Sequence, residues 1–64
     1  MDNTINVLVF RYCDLCPPED ETIAYYDAKT KWGPWANMCE KHFAEAEGKL
    51  GTGKGQKFHY IYSL

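Results

Sequence analysis

Cys13 and Cys16, and then Cys39 and His42, form two pairs of metal-ligating side chains with the same spacing, set 22 residues apart in a chain of 64. Either pair alone would say little. Together they match the donor pattern of a structural zinc site. A Cys-x-x-Cys turn aims two sulfurs at one point, and positions i and i+3 of a helix share a face, so Cys39 and His42 converge as well. A helix N-terminus also favours thiolate at Cys39. Four soft or borderline donors suit one Zn²⁺ better than iron. With every position of the tetrahedron taken by protein, no place is left for water, and the expected ion is structural rather than catalytic.

The alternatives are weaker. Three cysteines are an odd number, so a disulfide framework would leave one thiol over. Three separate buried cysteines and a core histidine could share these positions by chance, but the doubled spacing argues against it. A thioredoxin-like pair at Cys13 and Cys16 would open a helix, whereas Pro17-Pro18 and an acidic stretch follow. His59, the remaining histidine, lies outside both pairs and is a poorer ligand candidate than His42.

A chain this short buries only about 60% of its unfolded surface. Its core rarely supplies more than about 3–5 kcal/mol, so a staple is required. The composition, 45% hydrophobic and 16% aromatic, suffices for one small packed unit. We expect a single zinc-binding domain over residues 1–64. The apolar run Val7-Leu8-Val9-Phe10 is far shorter than the ~20 residues of a membrane span, and nothing resembles a signal peptide. The expected location is cytoplasmic, where thiols stay reduced.

Residues 4–12 read as a strand, rich in β-branched and aromatic side chains. Residues 17–21 form an acidic loop, and residues 22–26 a second strand. Asp27–Thr30 is the expected hairpin turn, with Lys31-Trp32 beginning the return strand. From Trp35 the pattern Trp35, Met38, Cys39, His42, Phe43, Ala46 has helical spacing, with Pro34 at the helix start and Gly48 as its stop. Residues 48–57 are glycine-rich, and 58–62 read as the last strand. The glycine loop mimics a Walker A motif at Gly48, Gly53 and Lys54, but Gly55 replaces Ser or Thr, and a helix precedes the loop instead of following it. It is either a flexible connector or a small anion-binding nest. Most of the aromatics are expected in the core, with Trp32 and Tyr62 exposed.

The order strand, Cys-x-x-Cys knuckle, hairpin and ligand-bearing helix resembles the treble-clef class of zinc fingers. The expected fold is therefore α+β: a short antiparallel sheet plus one helix, the last strand pairing beside the first hairpin or strand. More narrowly, Tyr26–Lys31, GPWANMCEKHF (33–43) and LGTGKGQKF (50–58) resemble small zinc-finger proteins of bacteriophages and bacteria, over residues 13–58. The resemblance implies metal ligation by Cys13, Cys16, Cys39 and His42, and implies no particular activity. If the chain is phage-encoded, its place is the host cytoplasm. Ala28 departs from the pattern, because a glycine is expected in the hairpin turn.

Charge is distributed unevenly. Residues 1–28 hold six acids against Arg11, residues 29–48 balance, and residues 49–64 hold Lys49, Lys54 and Lys57 with no acid. The net charge of −2 is not that of a duplex-DNA binder. No Ser/His/Asp set or carboxylate pair is recognisable, so we expect a binding protein rather than an enzyme. The first expectation is a protein-interaction or host-modulating factor of phage or bacterial type. The second is a nucleic-acid-binding finger using the Lys49–Lys57 segment, whose contacts would be weak. Lys49, Lys54, Lys57 and Trp32 are the candidate contacts to an anion or partner.

Overall fold

The computed structural model describes residues 3–61. The elements, in order, are β1 (Thr4–Val7), a 3₁₀ turn (Pro18–Asp20), β2 (Tyr26–Lys29), β3 (Trp35–Met38), α1 (Glu40–Glu45) and β4 (Gly55–Tyr60). The strands form one sheet in the order β1-β4-β2-β3. The expected α+β class is found, with one helix among the described residues.

The sheet is mixed, not antiparallel. β4 runs antiparallel to β2 and parallel to β1, with Thr4 opposite Lys57 and Val7 opposite Tyr60. The β1–β2 connection is the reason. It is no tight hairpin but passes through the Cys-x-x-Cys turn, and a connection of that length lets β1 lie on the far side of β4. β1 is shorter than the expected 4–12 because its partner runs out: β4 ends at Tyr60, and the Ile61 amide donates to the Val7 carbonyl at 2.9 Å as the last rung. Beyond it the chain bends and leaves Leu8 and Val9 exposed. The chain returns as a single bridge, Tyr12 opposite Ile23.

The hairpin is displaced from the expected position. Ala28 is not in a turn but buried at 0% exposure inside β2, opposite Ala36 and Gly55. A side chain is wanted there, so the absent glycine costs nothing. The turn spans 30–34. The Thr30 amide and hydroxyl both donate to the Pro34 carbonyl, at 3.0 and 2.7 Å, and the Gly33 amide donates to Thr30. Gly33 has φ +111°, a conformation side chains disfavour. Pro34 thus closes a turn into edge strand β3 rather than opening a helix. Trp35–Met38 is strand, because each residue finds a rung on β2 that overrides the helical spacing.

The helix is consequently six residues long, with Cys39 as its N-cap. It ends at Glu45 with Ala46 as its C-cap, and Glu47, at φ +55°, turns the chain so that the Gly48 amide donates back to the Phe43 carbonyl at 2.9 Å. Gly48 is required for space: a Cβ there would lie 2.5 Å from the Phe43 ring. The glycine loop is a tight hydrogen-bonded turn. Gly51 and Gly55 form a bridge, and the Lys54 amide donates to Gly51 at 2.9 Å.

Two small cores result. Val7, Ala24 and Phe58 pack with Ile5 and Tyr60; Ala28, Met38 and Ala46 pack with Ala36 and Phe43. The Phe43 ring stacks on Tyr26 at a centroid distance of 3.8 Å and docks the helix on the hairpin. Most of the described aromatics are not core, contrary to expectation. Phe58 is buried at 3% exposure, while Trp32 (62%), Tyr12 (51%), Trp35 (48%) and Tyr25 (45%) face outward. A molecule only 15 Å through its thinnest axis has one layer of interior to fill, and small alanines fill much of it. Tyr62 lies outside the described residues.

Candidate metal centre

Backbone hydrogen bonds to residues 22–25 and to β3 hold the Cys-x-x-Cys turn and its flanks in place. The Cys13 amide donates to the Thr22 carbonyl at 2.7 Å, and the Ala24 amide to Arg11 at 2.7 Å, which fixes the strand-like entry. Asp14 then grips Asn37 from both sides: its amide donates to the Asn37 carbonyl at 2.8 Å, and its carboxylate accepts the Asn37 amide at 2.8 Å. Asn37 lies two residues before Cys39, so this clamp sets the distance between the two ligand pairs. The Tyr25 amide donates to Met38 at 2.8 Å and closes the remaining side.

The four ligand candidates meet. Cys13, Cys16, Cys39 and His42 place their donor atoms within 4.8 Å of one another. Cys16 Sγ and Cys39 Sγ are 3.8 Å apart. His42 Nδ1 lies 3.5 Å from Cys13 Sγ, 3.3 Å from Cys16 Sγ and 3.2 Å from Cys39 Sγ. A tetrahedral ion with Zn–S of ~2.3 Å and Zn–N of ~2.0–2.1 Å requires S···S of about 3.8 Å and S···N of about 3.6 Å. The donors therefore surround a space of the right size and chemistry to hold a metal ion. His42 reaches in with Nδ1, and its outer Nε2 lies 3.8 Å from Glu45 Oε2, one helical turn on.

The thiols are tuned unequally. Burial raises the Cys13 thiol, but backbone hydrogen bonds from Cys39 and Leu15 and side-chain contacts with Cys16 and Cys39 outweigh it, bringing Cys13 from 9.0 down to about 7. Cys16 moves upward: Thr22 lowers it, while desolvation and the neighbouring Cys13 and Cys39 raise it further. The fold thus favours the thiolate at Cys13, whose charge in turn disfavours ionisation of Cys16.

His59 is exposed on β4 opposite Asn6 and takes no part in the cluster. Lys49 and Lys54 line one side of a surface cleft, where Lys29 and Lys31 join them from the hairpin. Lys57 stands apart on β4, opposite Tyr26 and Thr4. Trp32 is exposed at the hairpin turn, with the Lys31 ammonium 5.2 Å from its ring centroid. Lys29 and Lys31 were not legible as cleft residues, because their sequence neighbourhood is charge-balanced and only the hairpin register carries them to the glycine loop. Among the described residues no helix is long and apolar enough to cross a membrane. No family model, curated protein or solved structure matches the chain, so the functional reading rests on the site itself.

Proposed function

We propose that this chain is a small binding module stabilised by one structural Zn²⁺ on Cys13, Cys16, Cys39 and His42, and that it acts through a protein partner rather than as an enzyme. The observation that carries the reading is the convergence of four donors from the turn and the helix within 4.8 Å. The bound ion would supply cohesion: structural zinc is worth an apparent ~10–16 kcal/mol at neutral pH, which in domains this small is folding energy. The sequence of knuckle, hairpin and helix, with Cys39 as N-cap and His42 in the first turn, supports the treble-clef reading and the likeness to small phage and bacterial zinc fingers. Leu8 (77% exposed), Val9 (75%) and Ile61 (40%) give the β1 side an apolar surface of the kind protein partners use. A nucleic-acid finger built on Lys49–Lys57 is less well supported, because Lys57 does not line the cleft that Lys49 and Lys54 share.

The test is metal analysis of the purified chain together with circular dichroism under a chelator. One zinc per chain, and loss of the folded spectrum when it is removed, is the expected result. A folded spectrum at sub-stoichiometric metal would overturn the proposal.

A further inference from the structure

The cleft of about 290 Å³ between the hairpin end and the glycine loop gathers Lys29, Lys31, Lys49 and Lys54, together with Glu47 and Gly53. Four of the six lysines of an acidic chain thus meet at one place. Four ammonium groups against one carboxylate leave a local excess of three positive charges, on a molecule whose net charge is −2. The backbones that carry them are tied together. The Lys29 amide donates to the Lys54 carbonyl at 2.9 Å, and the Lys31 amide to Ala46 at 2.9 Å. Lys54 itself sits in the Gly51–Gly55 turn. Glu47, held at φ +55° by the helix end, engages Lys31 at 3.5 Å, while Lys29, Lys49 and Lys54 line the same cleft with no second carboxylate among its lining residues. A local excess of like charge favours an anion bound there.

We infer that this cleft is a binding site for a compact phosphorylated anion carrying two or three linked phosphoryl groups. Its residue types select that chemistry. Ammonium groups are point charges that approach phosphoryl oxygens from several directions, and the several negative charges of linked phosphoryl groups match a lining with three positive charges in excess. The single arginine, Arg11, is elsewhere, its guanidinium over the Phe58 ring at 5.2 Å. Gly53, at φ +77° with nothing within 4 Å of a Cβ position, leaves the rim of the cleft open. A compact anion fits better than a long strand. Lys57 does not line the cleft, so the basic surface is not extended into a track for a polymer. The site does not depend on the identity of the protein partner, and its failure would leave the zinc reading untouched.

The experiment is calorimetric titration of the zinc-loaded protein with inorganic triphosphate and, separately, with a short oligothymidylate, at about 50 and 200 mM salt. Zinc content is measured before and after, because triphosphate itself chelates metal. Saturable one-to-one binding of triphosphate is expected, weaker at the higher salt. Lys49→Glu and Lys54→Glu should each weaken it about tenfold or more, and Lys57→Glu by less than about twofold. All three lysines are exposed, and the circular dichroism of each variant should match the parent. Absence of saturable binding at low salt would overturn the inference. So would an equal loss in Lys57→Glu, which would mean diffuse attraction rather than a site. Tighter binding of the oligothymidylate, lost in Trp32→Ala, would overturn it in favour of single-stranded nucleic acid, with Trp32 as the stacking platform.

Discussion

His42 turns Nδ1 toward three cysteine sulfurs and leaves its other ring nitrogen, Nε2, 3.8 Å from Glu45 Oε2 on the same helix. A ligating imidazole is oriented by what its second nitrogen meets, and a carboxylate there fixes the tautomer and raises the basicity of the ligating nitrogen. At 3.8 Å Glu45 is in ion-pair range of His42 rather than hydrogen-bonded to it, and it stands beside the candidate metal centre without touching a sulfur. Such partners are worth 10–100-fold in metal affinity, and Glu45, being half-exposed and 3.8 Å away, falls at the low end. Glu45→Gln should weaken zinc binding by about tenfold or less in competition with a chromophoric chelator, and leave the folded spectrum of the zinc-loaded protein unchanged. No change in affinity would reduce the contact to a surface ion pair.

The ligand assignment has its own test. Cys39→Ser should abolish stoichiometric zinc and, with it, the folded spectrum, because Cys39 is both a cluster member and the N-cap of the helix. His42→Ala should likewise lose zinc. His59→Ala should keep one zinc per chain, since His59 is exposed on β4. The reverse pattern for the two histidines would show that the ion sits elsewhere.

The thiols predict how the metal-free chain responds to pH. Cys13 falls from 9.0 to about 7 in the fold. A lowered acid constant favours the thiolate in the folded state, so the stability it contributes is present above pH 9 and is lost as pH falls through about 7. Cys16 is raised, which has the opposite sign: its contribution is present below 9 and is lost as pH rises above its folded value. Between about pH 7 and 9, then, Cys13 decides. Residual secondary structure in excess chelator should increase with pH across that window. A decrease across it would contradict the tuning of Cys13.

The candidate ligands were legible because each pair is encoded locally. A tight turn presents Cys13 and Cys16, and the start of a helix presents Cys39 and His42, even though the helix begins at Glu40 rather than near Trp35; the two pairs meet through the Asp14–Asn37 clamp. Trp35–Met38 misleads for a physical reason: its apolar positions continue the helical spacing of Cys39, His42 and Phe43, and only the rungs to β2, set by the 30–34 turn, make it a strand. The parallel pairing of β1 with β4 joins segments some fifty residues apart, and no local signal encodes it. The lysine cleft was illegible for the same reason, since Lys29 meets Lys54 only through the β2–β4 register.

That register rests on a close approach that a single methyl group would test. Gly55 opens β4 opposite Ala28, and a Cβ on it would lie 2.5 Å from Ala28 Cβ and 2.5 Å from the Lys49 carbonyl oxygen. Both neighbours are backbone or the first atom of a side chain, so neither can swing aside. The strand or the glycine turn must shift instead, and overpacking of that kind costs about 1–3 kcal/mol. Gly55→Ala should therefore lower the thermal midpoint of the zinc-loaded protein by several degrees; for a domain this size 1 kcal/mol corresponds to roughly 4–8 °C. Gly53→Ala is the control for glycine loss alone, since φ +77° strains an alanine but nothing lies within 4 Å of its Cβ. The Cys13, Cys16, Cys39 and His42 cluster is formed by the knuckle and helix and does not include β4, so Gly55→Ala should leave the metal content expected of the parent, one zinc per chain, unchanged. A midpoint equal to the parent's would mean that β4 and β2 do not approach as closely as the Ala28–Gly55 pairing requires.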